Sequence, residues 1–204
     1  MLLTTADLRA RLLASSGRVE DIGAGDHVLN PDWQWLKKQP DPREAAVLVP
    51  IIDRPEAASV LLTTRAGHLR QHSGQIAFPG GRIDPEDASP EAAALREAQE
   101  EVGLAPEFVE TIGRLPSYIS GTGFRITPVL SIVQPGFSLS INPDEVEDAF
   151  EVPLGFLMDV ANHRLESRHL RGAERHFYTM PFGDRYIWGV TAGILRVLYE
   201  RFYA

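Results

Sequence analysis

The 204-residue sequence predicts a single mixed α/β (α+β) domain built in layers. Strand patterns stand on both sides of one central helix pattern at Ser89–Val102, and an amphipathic helix pattern closes the chain. The composition, 44% hydrophobic and 24% charged, is enough for one sizeable core. We therefore expect a core over residues 43–204, preceded by an N-terminal extension over residues 1–42 that carries a helix.

The predicted strands are runs of apolar and β-branched residues bounded by turn signals. Asn, Gly and Pro separate these runs along the chain. The strands are Ala45–Asp53, Ala58–Arg65, Phe108–Leu115 and Arg125–Val133, followed by a hairpin of "HRLESRHL" and "ERHFYTMPF" around Arg171–Gly172.

The helices are predicted from apolar residues that recur every three to four positions and from capping residues. For the central helix, Ser89 is a good N-cap, Pro90 suits the first position and Gly103 is a natural stop. The predicted helices are Thr5–Ala14 with Thr5 as its cap, Ser89–Val102, two short pieces of "NPDEVEDAFEVPLGFLMDV" separated at Pro153, and Ile187–Phe202.

Charge and cysteine content exclude several classes of function. The sequence has no cysteine, so disulfides, thiolate zinc sites and cysteine nucleophiles are excluded. A net charge of −8 argues against a broad grip on nucleic acid. No signal peptide pattern opens the chain and no apolar run approaches a membrane span, so we expect a cytoplasmic protein without a membrane partner.

The central helix concentrates like charges on one face. Glu97 and Glu101 are four residues apart and lie one above the other, while Glu100 flanks the same patch. Such like charges destabilise a helix unless a counter-charge binds them, and Mg²⁺ or Mn²⁺ prefers these hard oxygen ligands. A solvated acidic face is the alternative. The glycines at 80 and 81 allow close backbone approach and a carbonyl directed at a metal, and Arg96 can hold the carboxylates in place.

The segment "GG…ALREAQEEVGL" resembles the Nudix box of the Nudix hydrolases. The second half of that pattern matches completely over Arg96–Leu104. The first half departs from it, since Ala88 and Arg82 stand where the family has Glu and Gly. One inserted residue before the helix accounts for both shifts and would make Asp87 and Gly81 the substitutes.

A second motif is similar to one found in the coenzyme A pyrophosphatase branch of this family. It covers Leu61–Gly81, "LLTTRAGHLRQHSGQIAFPGG", and "IWGVTAGIL" at Ile187–Leu195 also resembles that branch. The matching positions are Arg65, Ala66, Arg70, Gly74 and Phe78 through Gly81.

The resemblance implies a Nudix-type layered fold, with a mixed β-sheet between helices, an N-terminal helical extension and a C-terminal helix. It implies metal-dependent hydrolysis of coenzyme A and its derivatives to 3′,5′-ADP and 4′-phosphopantetheine. The implied metal ligands for Mg²⁺ or Mn²⁺ are Glu97, Glu100, Glu101 and a backbone carbonyl of Gly81. The implied substrate contacts are Arg65, Arg70, Gly80 and Gly81, with Arg96 in the catalytic set.

A general base is expected either among the box glutamates or on a later loop. Glu145 is preferred there over Glu147, against the alternative that Asp144 and Glu145 merely begin a helix. Tyr118 and Phe124 either stack on adenine or belong to the core. His68 and His72 are not expected to be ligands. The N-terminal segment and the aromatic residues near Trp33 and Trp35 suggest a homodimer surface.

Two other functions compete with this interpretation. One is a Nudix hydrolase for another substrate, such as ADP-ribose, NADH, a dinucleoside polyphosphate or a capped RNA end. The other is a binding module without catalysis, which would normally have lost box glutamates; this chain keeps Glu97, Glu100 and Glu101.

Overall fold

The structure, a computed structural model, describes residues 2–15, 24–33, 42–69, 72–170 and 172–204. Three positions named above, Trp35, Arg70 and Arg171, lie outside the described residues.

The described residues form five α-helices and twelve strands. The helices are α1 (Thr5–Ser15), α2 (Asp26–Leu29), α3 (Pro90–Val102), α4 (Leu154–Leu157) and α5 (Gly189–Phe202), with 3₁₀ turns at Pro31–Trp33, Pro106–Phe108 and Val160–Asn162. The strands are β1 (Ala24–Gly25), β2 (Arg43–Ile52), β3 (Ser59–Arg65), β4 (Ile76–Ala77), β5 (Gly80–Arg82), β6 (Val109–Arg114), β7 (Tyr118–Ile119), β8 (Phe124–Val133), β9 (Val146–Pro153), β10 (Arg164–Leu170), β11 (Ala173–Phe182) and β12 (Arg185–Trp188).

Nine strands form one mixed sheet whose main path runs β1-β7-β8-β2-β3-β4. Strands β2 and β8 pair in parallel along their whole length, from Arg43↔Phe124 to Ile52↔Val133. Strand β3 pairs with β2 at only two positions, Ile51↔Val60 and Ile52↔Ser59, and pairs with β9 along its length. Where β2 and β3 diverge, β5 pairs with β2 and β4 pairs with β3. The opening between the two central strands is therefore lined by the segment that contains both glycines.

Helices cover both faces of this sheet, as the sequence predicted. Helix α3 buries its alanines at 93, 94 and 98 and Val102 against Ala46 and Leu48 of β2. The opposite side chains of β2, such as Val49 and Ile51, share the other core cluster with Ile194, Leu195 and Leu198 of α5. The alternation along β2 is what a strand covered on both faces requires.

The predicted ends of α3 are confirmed. The Ser89 hydroxyl accepts a hydrogen bond from the Ala92 N–H at 3.2 Å, and Pro90 is the first helical residue. Gly103 adopts φ 68°, and its N–H donates to the Gln99 carbonyl at 3.0 Å. These caps fix where the glutamate face begins and ends.

Two predicted helix starts were wrong. Thr4, not Thr5, caps α1: its hydroxyl accepts from the Asp7 N–H while its own N–H donates to the Asp7 carboxylate. The Thr5 hydroxyl instead donates to Asp53 at 2.7 Å. Helix α5 begins at Gly189, because residues up to Trp188 pair with β11 as a third strand of a small sheet.

The helix predicted in "NPDEVEDAF" was also wrong. Residues Val146–Pro153 form β9, which pairs antiparallel with β3. Phe150 and Val152 alternate onto one face of the sheet, a register shift at Thr64/Arg65 places Val146 on the other face, and the partner strand overrides the local helix signal. Of the two predicted helical pieces, only the second, α4, is present.

The small sheet β10-β11-β12 contains the predicted hairpin and packs its Met180 and Ile187 into the core. Arg185 of β12 connects it to the main sheet through Asp148 at 2.6 Å and Thr64 at 3.3 Å. No helix in the described part of the chain is long and apolar enough to cross a membrane.

Candidate metal centre

Three carboxylates converge beside the opening between β2 and β3. One carboxylate oxygen from each of Glu97, Glu101 and Glu145 lies within 4.8 Å of the other two. Glu97 and Glu101 come from successive turns of α3, as their spacing predicted. Glu145 comes from the turn before β9, so the alternative that it begins a helix was wrong. Three carboxylates at this separation repel one another unless a proton or a nearby positive charge compensates them.

Glu101 is the most buried of the three clustered glutamates, with 3% of its side chain exposed. Its carboxylate accepts a hydrogen bond from the Gly80 N–H at 3.2 Å and lies 3.5 Å from the guanidinium of Arg65. Burial raises its pKa to about 7; the Gly80 bond and Arg65 oppose that rise, and Glu97 and Glu145 add to it. Ionising this carboxyl group is costly without a counter-charge. A cation that replaces its proton would supply that counter-charge.

Gly81 lies directly against Glu97. A Cβ at position 81 would stand 2.6 Å from Glu97 Cδ, so a larger residue would displace that carboxylate. At Gly80, where φ is 154°, a Cβ would stand 2.6 Å from the Cα of Val47. The two glycines therefore serve different purposes: Gly80 lets β5 lie against β2, and Gly81 makes room for Glu97.

Arg96 holds the acidic face of α3 in order. Its guanidinium donates to both oxygens of Asp87, at 3.0 and 2.9 Å, and to Glu97 and Glu100, both at 3.1 Å. The hydrogen bonds from Arg96 lower the pKa of Asp87, and the same contacts raise that of Arg96. Burial raises the pKa of Glu97, with Arg96 opposing it. Asp87, which one inserted residue would make the substitute for the first glutamate of the box, is thus an anchor for Arg96.

The remaining predicted residues divide between those near the cluster and those away from it. Arg65 is near it through Glu101. Glu100 has 52% of its side chain exposed and lies outside the three-carboxylate group found among the described residues. Glu147 is exposed, and His72 contacts Gln75 rather than a carboxylate.

Both aromatic residues considered for adenine stacking make other contacts within the protein. Tyr118 is buried and its hydroxyl donates to Asp26 at 2.7 Å, which makes it a core residue. Phe124 is half-buried, and the Arg43 guanidinium covers its ring at 3.9 Å from the centroid.

One residue that contacts the carboxylate cluster, Asn142, was not predicted from the sequence. Its side-chain amide donates to the Glu145 carboxylate at 3.2 Å, and its backbone N–H donates to the Glu101 carbonyl at 2.9 Å. The "NP" pair signals a turn, yet nothing in a turn signal shows which helix the turn will contact.

The chain is similar to known proteins over most of its length. The NUDIX domain model matches residues 42–171. The chain is 45% identical over 183 residues to the uncharacterized Nudix hydrolase NudL of Klebsiella pneumoniae (strain 342), covering 85% of this chain and 95% of the relative. It is 47% identical over 156 residues to NudL of Cronobacter sakazakii, covering 76% and 81%.

The fold is similar to that of a solved structure. DR0079 from Deinococcus radiodurans aligns with a TM-score of 0.50 at 14% identity, over 81% of this chain and 90% of that one. The Nudix hydrolase RenU from M. smegmatis aligns with a TM-score of 0.49 at 28% identity, over 58% and 74%. On the extent of the domain match and the identity to NudL, the chain belongs to the NUDIX domain family of Nudix hydrolases.

Proposed function

We propose that this chain is a divalent-metal-dependent pyrophosphohydrolase that cleaves coenzyme A and its derivatives to 3′,5′-ADP and 4′-phosphopantetheine. The observation that carries the hydrolytic part is the convergence of Glu97, Glu101 and Glu145 within 4.8 Å. The choice of substrate is supported by the Leu61–Gly81 motif, which resembles the coenzyme A pyrophosphatase branch and supplies both Arg65 and the two glycines.

The donor set fits Mg²⁺ or Mn²⁺. These ions take hard oxygen ligands, and the three converging groups are all carboxylates. Glu97, Glu101 and Glu145 would hold the metal, with Glu100 and the Gly81 carbonyl as the further ligands that the family resemblance suggests. When bound, the metal would supply positive charge to the phosphate oxygens and lower the pKa of a water molecule.

The protein side chains have separate tasks in this reaction. Water attacks one phosphorus of the pyrophosphate, the bridging P–O bond breaks, and the second phosphate leaves. Glu145 accepts the proton of the attacking water, which suits a carboxylate on a loop separate from α3. Arg65 and Arg70 bind phosphate oxygens, and Arg96, anchored on Asp87, keeps Glu97 directed at the site.

Local cations explain how an acidic protein receives an anionic substrate. The chain carries a net charge of −8, yet the Arg65 guanidinium stands next to the buried Glu101. Together with divalent metal, that arginine would offset the negative charge of the three carboxylates where the pyrophosphate would lie.

The test is turnover of a panel of coenzyme A, acetyl-CoA, ADP-ribose, NADH and diadenosine polyphosphates with Mg²⁺ or Mn²⁺, with products identified by mass. We expect coenzyme A or its acyl form to be cleaved fastest, yielding 3′,5′-ADP and the corresponding phosphopantetheine. A tenfold preference for another nucleotide would retain the hydrolase and overturn the substrate. No cleavage with either metal would favour a binding module.

A further inference from the structure

Glu145 reaches the carboxylate cluster from outside α3, so something must hold it there. The two α3 glutamates are fixed by the helix, whereas Glu145 lies in a turn between residue 139 and β9. Among the residues that the structure describes, the Asn142 amide donates a hydrogen bond to its carboxylate at 3.2 Å, and this contact can define its direction.

Asn142 is itself fixed by the backbone. Its N–H donates to the Glu101 carbonyl at 2.9 Å, and two residues earlier the Ser140 N–H donates to the Val102 carbonyl at 2.8 Å. Its own carbonyl accepts from the N–H groups of Glu145 at 3.1 Å and Val146 at 2.9 Å. The segment is thus attached to the last turn of α3, where unpaired carbonyls are available.

One residue therefore connects both sources of the cluster. The backbone of Asn142 is bonded to Glu101, and its side chain is bonded to Glu145. A second attachment supports the turn from the other side, because the Ala66 N–H donates to the Glu145 carbonyl at 2.9 Å. The side-chain amide is the contact that acts on the carboxylate itself.

We propose that Asn142 is a positioning residue, whose side-chain amide sets the Glu145 carboxylate at the distance from Glu97 and Glu101 that metal binding and water activation need. This rests on the proposed function for the role of Glu145 in catalysis. Its effect on metal binding can be measured without any substrate.

The contacts of Asn142 allow the amide to be separated from the turn. Its Oδ1 accepts from the Asp144 N–H at 3.1 Å, which is a turn contact, whereas Nδ2 makes the Glu145 contact. Asn142→Ser keeps a hydroxyl for the turn and loses the reach to Glu145. Asn142→Asp keeps the turn acceptor and places an oxygen where the donor was. Because the backbone bonds remain in both, we expect both variants to fold.

The first measurement is Mn²⁺ affinity, read from the free-ion EPR signal without substrate. We expect Asn142→Ser and Glu145→Gln each to bind Mn²⁺ about tenfold or more weakly, the usual effect of losing an outer-shell partner or a ligand. The double variant should bind no more weakly than Glu145→Gln alone, since Asn142 acts through Glu145. Asn162→Ser is the matched control: its amide donates to the Phe156 carbonyl at 2.9 Å, and its Mn²⁺ affinity should not change.

The second measurement is steady-state kinetics at saturating Mn²⁺ on the best substrate of the panel. We expect kcat to fall about tenfold or more in both Asn142→Ser and Asn142→Asp, with KM within about twofold of the wild type. If Asn142 only shaped the turn, Asn142→Asp would keep the wild-type kcat. That result would overturn the proposal.

The metal measurement also separates this inference from the proposed function. If the wild type cleaves no substrate, the proposed function fails while the Mn²⁺ cycle still decides the role of Asn142. Two results would overturn the positioning role. One is wild-type Mn²⁺ affinity in Asn142→Ser, and the other is that Asn142→Ser lowers Mn²⁺ affinity equally with Glu145 present and with Glu145→Gln.

Discussion

Glu101 combines two properties that seldom occur in one carboxylate: it is almost fully enclosed, and its neighbours include two more carboxylates. Its hydrogen bond from Gly80 and its contact with Arg65 only partly compensate the cost of ionising it. An ion-free carboxylate here is therefore destabilising, which agrees with the metal-binding role proposed for Glu101.

Replacing Glu101 by Gln should separate these two effects. We expect kcat to fall by at least about 10²-fold, because a ligand is lost from the metal whose positive charge would stabilise the transition state. Metal-free stability at pH 8 should rise, by less than about 3 kcal/mol, since the buried charge is removed. The two readings are turnover of the best substrate and thermal unfolding in EDTA. Glu107→Gln, at an exposed site, is the control, and full activity in Glu101→Gln would sink the metal-site assignment.

The raised pKa of Glu101 also predicts a pH dependence. Its folded pKa of about 7 lies above the ordinary value of 4.5, so the metal-free folded state holds the proton more tightly than the unfolded chain does. This contribution to stability is present below about pH 4.5 and is lost as the pH rises towards 7.

Metal binding should follow the opposite trend. Because the metal displaces the proton, Mn²⁺ affinity should fall about tenfold for each pH unit below 7. Calorimetric titration at pH 5.5, 6.5 and 7.5 in two buffers of different ionisation enthalpy would measure both the affinity and the released protons. A flat affinity over this range would show that Glu101 does not lose a proton on binding.

At the scale of single residues, sequence spacing was enough to predict that the two α3 carboxylates lie together, and insufficient to predict the residues that contact them. The four-residue interval placed Glu97 and Glu101 together because helix geometry is regular. Asp87 and Asn142 depend instead on how loops return to the helix, and no periodic rule governs that. Arg65 was predicted as a phosphate contact, and its place beside Glu101 became visible only through the pairing of β3.

Among the elements, the segment with consecutive glycines has the most demanding geometry. Strand β5 lies between β2 and α3, and each glycine faces one of these neighbours. The same substitution, glycine to alanine, should therefore mainly lower stability at one position and mainly lower metal affinity at the other.

Gly80→Ala should lose stability, by roughly 2 kcal/mol or more, because the new Cβ meets the β2 backbone, which cannot move aside. Gly81→Ala should lose less than about 1 kcal/mol but bind Mn²⁺ about tenfold more weakly, since only the Glu97 carboxylate is pushed. Thermal unfolding and Mn²⁺ titration measure the two effects. Gly67→Ala is a control, because the nearest atom to its Cβ would be 3.8 Å away. Equal metal affinity in the Gly81 variant would contradict this account.

The elements that sequence predicted well were long or capped at both ends. Helix α3 had Ser89, Pro90 and Gly103 as signals, and each was used as expected. Strand β9 was missed because its acidic residues suggested a helix start, whereas β3 supplied a partner along its length. Two-residue strands such as β1 and β4 exist only through their partners, so no local pattern can predict them.

At the scale of the whole molecule, the core does not depend on the metal. Two apolar clusters, one on each face of the sheet, consist of ordinary buried aliphatic and aromatic side chains. We therefore expect a folded protein in EDTA, with the carboxylate cluster as a local source of instability that a cation relieves.

Adding Mn²⁺ at about 100 times its dissociation constant should stabilise the fold by about 2.7 kcal/mol, the value mass action requires. For a chain of this size that corresponds to a rise in Tm of roughly 5 to 10 °C. Differential scanning fluorimetry over a Mn²⁺ series, reversed by EDTA, would measure it. A Glu97→Gln/Glu101→Gln double variant should show no shift, and an unchanged shift there would assign the effect to other sites.

The family and the layered fold were thus predictable from one motif and the order of the elements. The boundary between the N-terminal extension and the core, the homodimer and the cytoplasmic location stay predictions. In the structure, the N-terminal part contacts the core directly, since the Ala58 N–H donates to the Leu3 carbonyl at 2.7 Å.

The parallel pairing of β2 with β8 also affects the route by which the chain folds. The two strands are about eighty residues apart in sequence, so forming this pair closes a long loop. The entropy of closing that loop is lost before the contacts between the strands can stabilise the pair. Glu97 and Glu101 lie inside that loop, and Glu145 lies beyond it. We therefore expect the full set of three carboxylates to assemble late in folding, so that Mn²⁺ slows unfolding far more than it accelerates folding.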